Sequence, residues 1–197
     1  MRASRSALSS NCKKELLLMN KTYELHIAGL TRQLTLHRVS EHLSIAGFIM
    51  LGDTELVEEC AKALVEKLPK DLDFLVCPEA KAIPLTHAMA RIMGIDYIVI
   101  RKSVKVYMDN PLIADVKSIT TAQQQHLVMD SADVKKLYGK RVAIVDDVVS
   151  TGGSLHAVEE ILSKTACKVV AKVAPLLEEG GYDGHDVVYL ERLPVFP

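Results

Sequence analysis

No run of apolar residues in this 197-residue chain comes near the ~20 that a membrane-crossing helix needs; Ile45 to Leu51 is among the longest. A secretory signal is missing too. The N-terminal segment carries Arg2, Arg5, Lys13 and Lys14, but its apolar centre is only Leu16 to Met19, too short for an h-region. The expectation is a cytoplasmic protein with no membrane partner. Cysteine is scarce: Cys12, Cys60, Cys77 and Cys167 are spaced too widely for a structural zinc site and are too few for a disulfide scaffold, so they read as reduced thiols. The histidines form no H-E-x-x-H or related pairing, which speaks against metal ligation by histidine. Neither sign of charge dominates. With 24 basic and 25 acidic residues and a net charge of −1, a general nucleic-acid surface is not expected. Two phosphate-binding signatures are absent as well: there is no G-x-G-x-x-G, and no Lys follows Gly152 and Gly153 as a P-loop requires.

What is present is a globular balance, 49% hydrophobic and 25% charged residues, in a length that suits one domain with a sizeable core. Apolar spacing alternates between strand and helix. Leu56, Val57, Cys60, Leu64 and Leu68 form a helical stripe behind a cap at Asp53, and Asp73 to Cys77 then reads as a buried strand. Ile83, Ala88, Met89, Ile92 and Met93 mark a second helix that closes at Gly94 and leads to a strand over Tyr97 to Arg101. Val142 to Asp146 and the helix bearing Leu155, Val158, Ile161 and Leu162 make a third unit, with further strands at Lys168 to Pro175 and Val187 to Leu190. This alternation predicts an α/β fold: an open, mostly parallel sheet flanked by helices.

The most informative segment is Val142 to Leu155, VAIVDDVVSTGGSL. A buried strand ends in adjacent carboxylates, Asp146 and Asp147, and the chain turns through Val149, Ser150, Thr151, Gly152, Gly153 and Ser154 into a helix. Glycines let the backbone approach a ligand, and the unpaired amides at a helix start face an anion. Carboxylates at the strand end accept from hydroxyl groups or bind a divalent cation. The ordered run suits a sugar phosphate. Taken in pieces, the acids only end a strand and the glycines only turn the chain.

This run resembles the phosphoribosyl pyrophosphate (PRPP) motif of type I phosphoribosyltransferases. The resemblance implies that Asp146 and Asp147 hold the ribose hydroxyls and that Val149 to Ser154 hold the 5′-phosphate; the two acids are also the candidate catalytic residues. Glu79-Ala80-Lys81-Ala82 is similar to the Glu-x-Arg-Gly pyrophosphate loop of adenine phosphoribosyltransferases, with Lys81 in place of Arg and Ala82 in place of Gly. Arg101-Lys102, with Lys105 behind it, resembles the Arg-Lys pair of the adenine and xanthine members, completing a pyrophosphate site of Glu79, Ala80, Lys81, Arg101, Lys102 and Lys105. Ile27 to Arg32 resembles their base-covering segment, which implies that Leu30 and Arg32 lie near the purine. Arg101, Lys102 and Arg32 are open to a plainer reading as solvated surface charges.

The implied organisation is an N-terminal extension over 1–22 and one phosphoribosyltransferase domain over 23–197, with a small hood over 23–52 and a flexible lid over 103–130. In the lid, Ser103 to Met108 and Ala114 to Thr121 are expected to pair as a hairpin around Asp109, Asn110 and Pro111. The implied reaction moves 5-phosphoribose from PRPP to a purine, adenine first, and releases pyrophosphate; the implied cofactor is Mg²⁺. No all-protein cage is expected for that ion, which would be held through PRPP with Asp146 and Asp147 assisting. The resemblance further implies a homodimer. Hypoxanthine-guanine enzymes carry an Asp three residues past the acid pair, where this chain has Ser150, which favours adenine or xanthine. Between Lys102 and Asp130 there is no Glu, and the carboxylates before Asp130 are Asp109 and Asp115, so the general acid or base stays unassigned. A PRPP-sensing regulator without catalysis is the alternative on the same fold, although only about 22 residues precede Tyr23, too few for the winged-helix domain of such regulators.

Overall fold

A computed structural model describes residues 21–116, 125–183 and 185–197. The N-terminal extension up to residue 20 and lid residues 117–124 lie outside the described residues.

The elements in chain order are β1 (Thr22–Ile27), β2 (Leu30–Ser40), β3 (Leu43–Ala46), α1 (Thr54–Val65), β4 (Phe74–Pro78), α2 (Ile83–Met93), β5 (Asp96–Ile100), β6 (Leu112–Val116), β7 (Gln125–Met129), α3 (Ser131–Leu137), β8 (Arg141–Val145), β9 (Val148–Val149), α4 (Gly153–Ser163), β10 (Lys168–Glu178), β11 (Val188–Leu193) and β12 (Val195–Phe196). The main sheet runs β11-β10-β8-β4-β5, with β9 added beside β10, and every pair in it is parallel. The expected α/β architecture is what the chain adopts.

Both faces of this sheet are covered, which is why its strands read as continuous apolar runs. Period-two alternation sends Leu75, Cys77, Ala143 and Val145 into one core with α1 and α2, and Val76, Val142 and Ile144 into the other with α4. Leu75, Val76, Ile144 and Val145 are fully buried, and each such side chain contributes about 2 kcal/mol by leaving water. Helix α1 starts where the sequence predicted, because Asp53 Oδ1 accepts from the Leu56 amide at 3.1 Å. Helix α2 stops at Gly94, which takes the left-handed conformation at φ 68°.

Strands β4 and β8 are neighbours, yet the chain leaves them in opposite directions, from β4 to β5 on one side and from β8 to β10 and β11 on the other. Helices α2 and α4, which follow these two strands, lie on opposite faces. A crevice opens at the carboxyl ends of strands where such a reversal occurs.

The hood is a separate antiparallel sheet, β1-β2-β3-β12. Its fourth strand comes from the C-terminus: Val195 and Phe196 pair with β3, and Phe196 packs on Tyr23 with ring centroids 5.4 Å apart. A two-residue strand carries no periodicity, so nothing in the sequence pointed to it.

The lid region departs from expectation. The hairpin forms between β6 and β7, and Ser103 to Met108 holds no strand. Asp109 and Asn110 do sit in a bend, but Met108 N already closes a tight turn back to Lys105 O at 3.0 Å. That turn takes this segment out of pairing. The hairpin is anchored instead by Arg101, which exchanges backbone hydrogen bonds with Val128 at 2.9 and 2.8 Å.

Candidate active site

Strand β8 delivers Asp146 and Asp147 to the crevice between β4 and β8. Both are buried, at 6% and 8% exposure, in a core otherwise almost free of charge. Their partners differ. Asp146 Oδ1 accepts from the Asp147 amide at 2.9 Å, whereas Asp147 Oδ2 is buried and has no hydrogen-bond partner. The nearest cation to it is Lys81 Nζ at 3.8 Å, beyond hydrogen-bond reach and on a largely exposed side chain. Burial, and then the neighbouring charge of Asp147, push the Asp146 carboxyl well above the usual carboxylate range. A buried, unsatisfied carboxylate oxygen is costly and calls for a donor. A hydroxyl group meets that need.

Helix α4 begins immediately beyond. Gly152 occupies its cap position at φ 78°, in the left-handed region that favours glycine, and no side chain caps the first amides. Those amides are free donors at the positive end of a helix, an anion site worth about 0.3 to 1 kcal/mol per charge, rising to ~2 when partly buried. Asp146, Val149, Ser150, Thr151, Gly152, Gly153 and Ser154 line one small cavity there, with Val148 and Leu155.

The loop after β4 forms the facing wall. Glu79 N donates to Ile100 O at 2.8 Å, and the Glu79–Ala80 peptide is cis. Glu79 Oε2 accepts from the Lys102 amide at 3.0 Å, and Oε1 pairs with Arg101 at 3.2 Å. The Lys102 amide, together with Arg101, holds the Glu79 carboxyl below its ordinary range against the opposing effect of burial. Glu79 therefore ties two strand ends together, and its carboxylate faces cations of its own chain. Arg101 Nε is buried without a partner, a donor matching the orphan acceptor on Asp147. Lys105 Nζ contacts Ser103 Oγ at 2.6 Å. Among the described residues no group of three or more His, Cys, Asp or Glu side chains could hold a metal ion.

The structure thus brings Lys81 to Asp147 and binds Glu79 to Arg101 and Lys102. Leu30 and Arg32 stand apart in the hood. Leu30 lines a cavity of about 250 Å³ with His26, Ile27, Ala28, Gly29, Thr31 and Glu191. Arg32 is committed to carboxylates, with Nε 2.7 Å from Asp53 Oδ2 and Nη2 2.7 Å from Glu55 Oε2.

Sequence reasoning passed over Gly181 and Tyr182, which lie against the α4 loop: Tyr182 N donates to Ser150 O at 2.7 Å. The pair Gly180-Gly181 was the signal available, since two glycines beside an aromatic mark a close backbone approach.

The chain matches a family profile described as "Phosphoribosyl transferase domain" over residues 52–190. It belongs to the phosphoribosyltransferase family. Phosphoribosyltransferases are glycosyltransferases, and this one resembles enzymes of more than one base specificity. It is 32% identical over 141 residues to the adenine phosphoribosyltransferase of Desulforamulus reducens, covering 70% of this chain and 77% of that protein. It is 29% identical over 157 residues to the hypoxanthine/guanine phosphoribosyltransferase of Methanococcus voltae, covering 77% and 80%. The solved adenine phosphoribosyltransferase of Thermoanaerobacter pseudethanolicus shares the fold at a TM-score of 0.63 and 19% identity, over 91% of this chain and 98% of that one. Among the described residues no helix is long and apolar enough to cross a membrane.

Proposed function

We propose that this phosphoribosyltransferase takes a purine, adenine first, and PRPP to a nucleoside monophosphate and pyrophosphate. One observation carries the reading furthest. A buried carboxylate oxygen of Asp147 lacks a donor at a strand-reversal crevice, directly before an uncapped glycine-rich helix start. A diol next to a phosphate satisfies both at once.

In the reaction the bond from ribose C1 to pyrophosphate breaks and a bond from C1 to a purine ring nitrogen forms. The chain's part is to orient the reactants and spread the charge. Asp146 and Asp147 grip the ribose hydroxyls, and Val149 to Ser154 hold the 5′-phosphate. Lys81, Arg101, Lys102 and Lys105 face the pyrophosphate, with Glu79 and Ala80 shaping their loop; the unpaired Arg101 Nε supports that role. The residues present fit Mg²⁺ through the two acids together with PRPP, and the ion supplies charge neutralisation on the leaving group. The hood cavity lined by Leu30 has room for a base, and Arg32 serves the same region by tying β2 to the start of α1. Residues 103–130 act as the lid; Val104, Val106 and Tyr107 expose apolar surface that closure would cover and so keep water from the reacting ribose. The working form is a cytoplasmic homodimer, and neither nucleic acid nor a membrane takes part.

Adenine ranks first because Ser150 replaces the acid of the hypoxanthine-guanine pattern, and a relative named for adenine stands beside those named for hypoxanthine and guanine. The test is pyrophosphate release from PRPP and Mg²⁺ with adenine, hypoxanthine, guanine and xanthine in turn. Turnover fastest with adenine is expected. Turnover with none of them, alongside measurable PRPP binding, would mark a regulator instead.

A further inference from the structure

The segment joining β10 to β11 meets the loop before α4 at successive residues. Gly181 lies so near that a Cβ there would overlap the Ser150 carbonyl, whose carbon would be 2.8 Å away. Tyr182 N donates to that same carbonyl at 2.7 Å. The Tyr182 ring then lies against Gly152: a Cβ on Gly152 would overlap ring atom Cδ2 and stand 3.1 Å from Cε2.

The ring is fixed from two sides. Its hydroxyl donates to Asp186 Oδ1 at 2.7 Å, and it meets His156, in the first turn of α4, in an edge contact with centroids 5.4 Å apart. Asp186 pairs with Lys172 on β10, which also pairs with Glu159 of α4 at 2.5 Å; Glu159 in turn lies 3.1 Å from His156. The contacts close a circuit through Tyr182, Asp186, Lys172, Glu159 and His156. Lys172 is only 13% exposed, so the circuit is partly shielded from solvent.

Backbone amides bind an anion well only if they already point at it. A loop with two adjacent glycines loses more conformational freedom on ordering than any other, and ordering deferred until the ligand arrives weakens affinity. We infer that Tyr182 is a positioning residue that pre-orders Ser150 to Ser154 for a phosphate group, held in place by the Lys172, Asp186 and Glu159 cluster. The inference rests on the reading of this loop as the 5′-phosphate site.

The test compares the full chain with Y182F, Y182A and D186N by calorimetric binding of ribose 5-phosphate and, separately, of pyrophosphate. Y182A should weaken ribose 5-phosphate about tenfold and pyrophosphate less than about twofold, because ordering is lost at one subsite only. Y182F keeps the ring against Gly152 and should recover most of the affinity; D186N, which removes the charge that pairs with Lys172 and so loosens the cluster around the ring, should fall between Y182F and Y182A. These two variants carry the test if Y182A does not fold. Unchanged ribose 5-phosphate affinity in the variants that fold, or equal loss of both ligands, would overturn the inference while leaving the phosphate site standing. Absence of ribose 5-phosphate binding by the unaltered protein would remove that site and the inference with it.

Discussion

Asp53 links the hood to the core: Oδ2 accepts from Arg32 Nε on β2 at 2.7 Å while Oδ1 accepts from the Leu56 amide of α1 at 3.1 Å. The Arg32 hydrogen bond holds the Asp53 carboxyl below its usual range, with the Leu56 amide adding to the effect against desolvation. Replacing Asp53 with Ala removes cap and tether together, and the cap alone is worth about 1 kcal/mol. Asn keeps an acceptor for the cap and should cost less than half as much. Urea unfolding of both variants checks this, and equal losses would show that capping is not the source.

Lys81 stands 3.8 Å from Asp147 on a side chain 62% exposed, so the pair contributes little to stability. The role proposed for it is with ligand. Lys81→Ala should leave the melting temperature within a degree or so while raising the KM for PRPP about tenfold, the scale of one charge-assisted hydrogen bond. Asp147→Asn should cost at least as much in kcat/KM. A variant that melts early but keeps its KM would assign Lys81 to the fold.

Asp146 gives the protein a pH signature. Its carboxyl titrates higher in the folded chain than in the unfolded one, so the folded state holds the proton more tightly. Stability from this group is complete below the ordinary carboxylate range near 3.8 and is lost as pH rises through the elevated folded value. Asp146→Asn cannot ionise. Without ligand it should therefore be the more stable protein at neutral pH, the gap closing as the medium is acidified. Melting curves at several pH values for both proteins decide it; a gap that widens toward acid would reverse the sign and refute the assignment.

The sheet was legible because a covered parallel strand needs an unbroken apolar run, and Val142 to Val145 and Leu75 to Cys77 provide one. Asp53 and Gly94 fixed their helix ends by local chemistry, hydrogen bonding in one case and left-handed backbone in the other. The acid pair at a strand end and the glycine turn into a helix were readable for the same reason: their geometry is local to a dozen residues. What escaped was long-range. The pairing of Val195 and Phe196 with β3, the hold of Glu79 on Lys102 and Arg101, and the seat of Tyr182 against Gly152 each depend on segments brought together by the fold. The hairpin was set too early because turn residues at Asp109 to Pro111 suit several geometries, and the Lys105 to Met108 turn had already used the chain before them.

The most direct test of the account is a crystal structure with adenosine monophosphate bound. The phosphate is predicted against the amides at the start of α4, between Ser150 and Ser154, with a ribose hydroxyl donating to Asp147 Oδ2. Nucleotide lodged elsewhere, with that crevice left open, would contradict it.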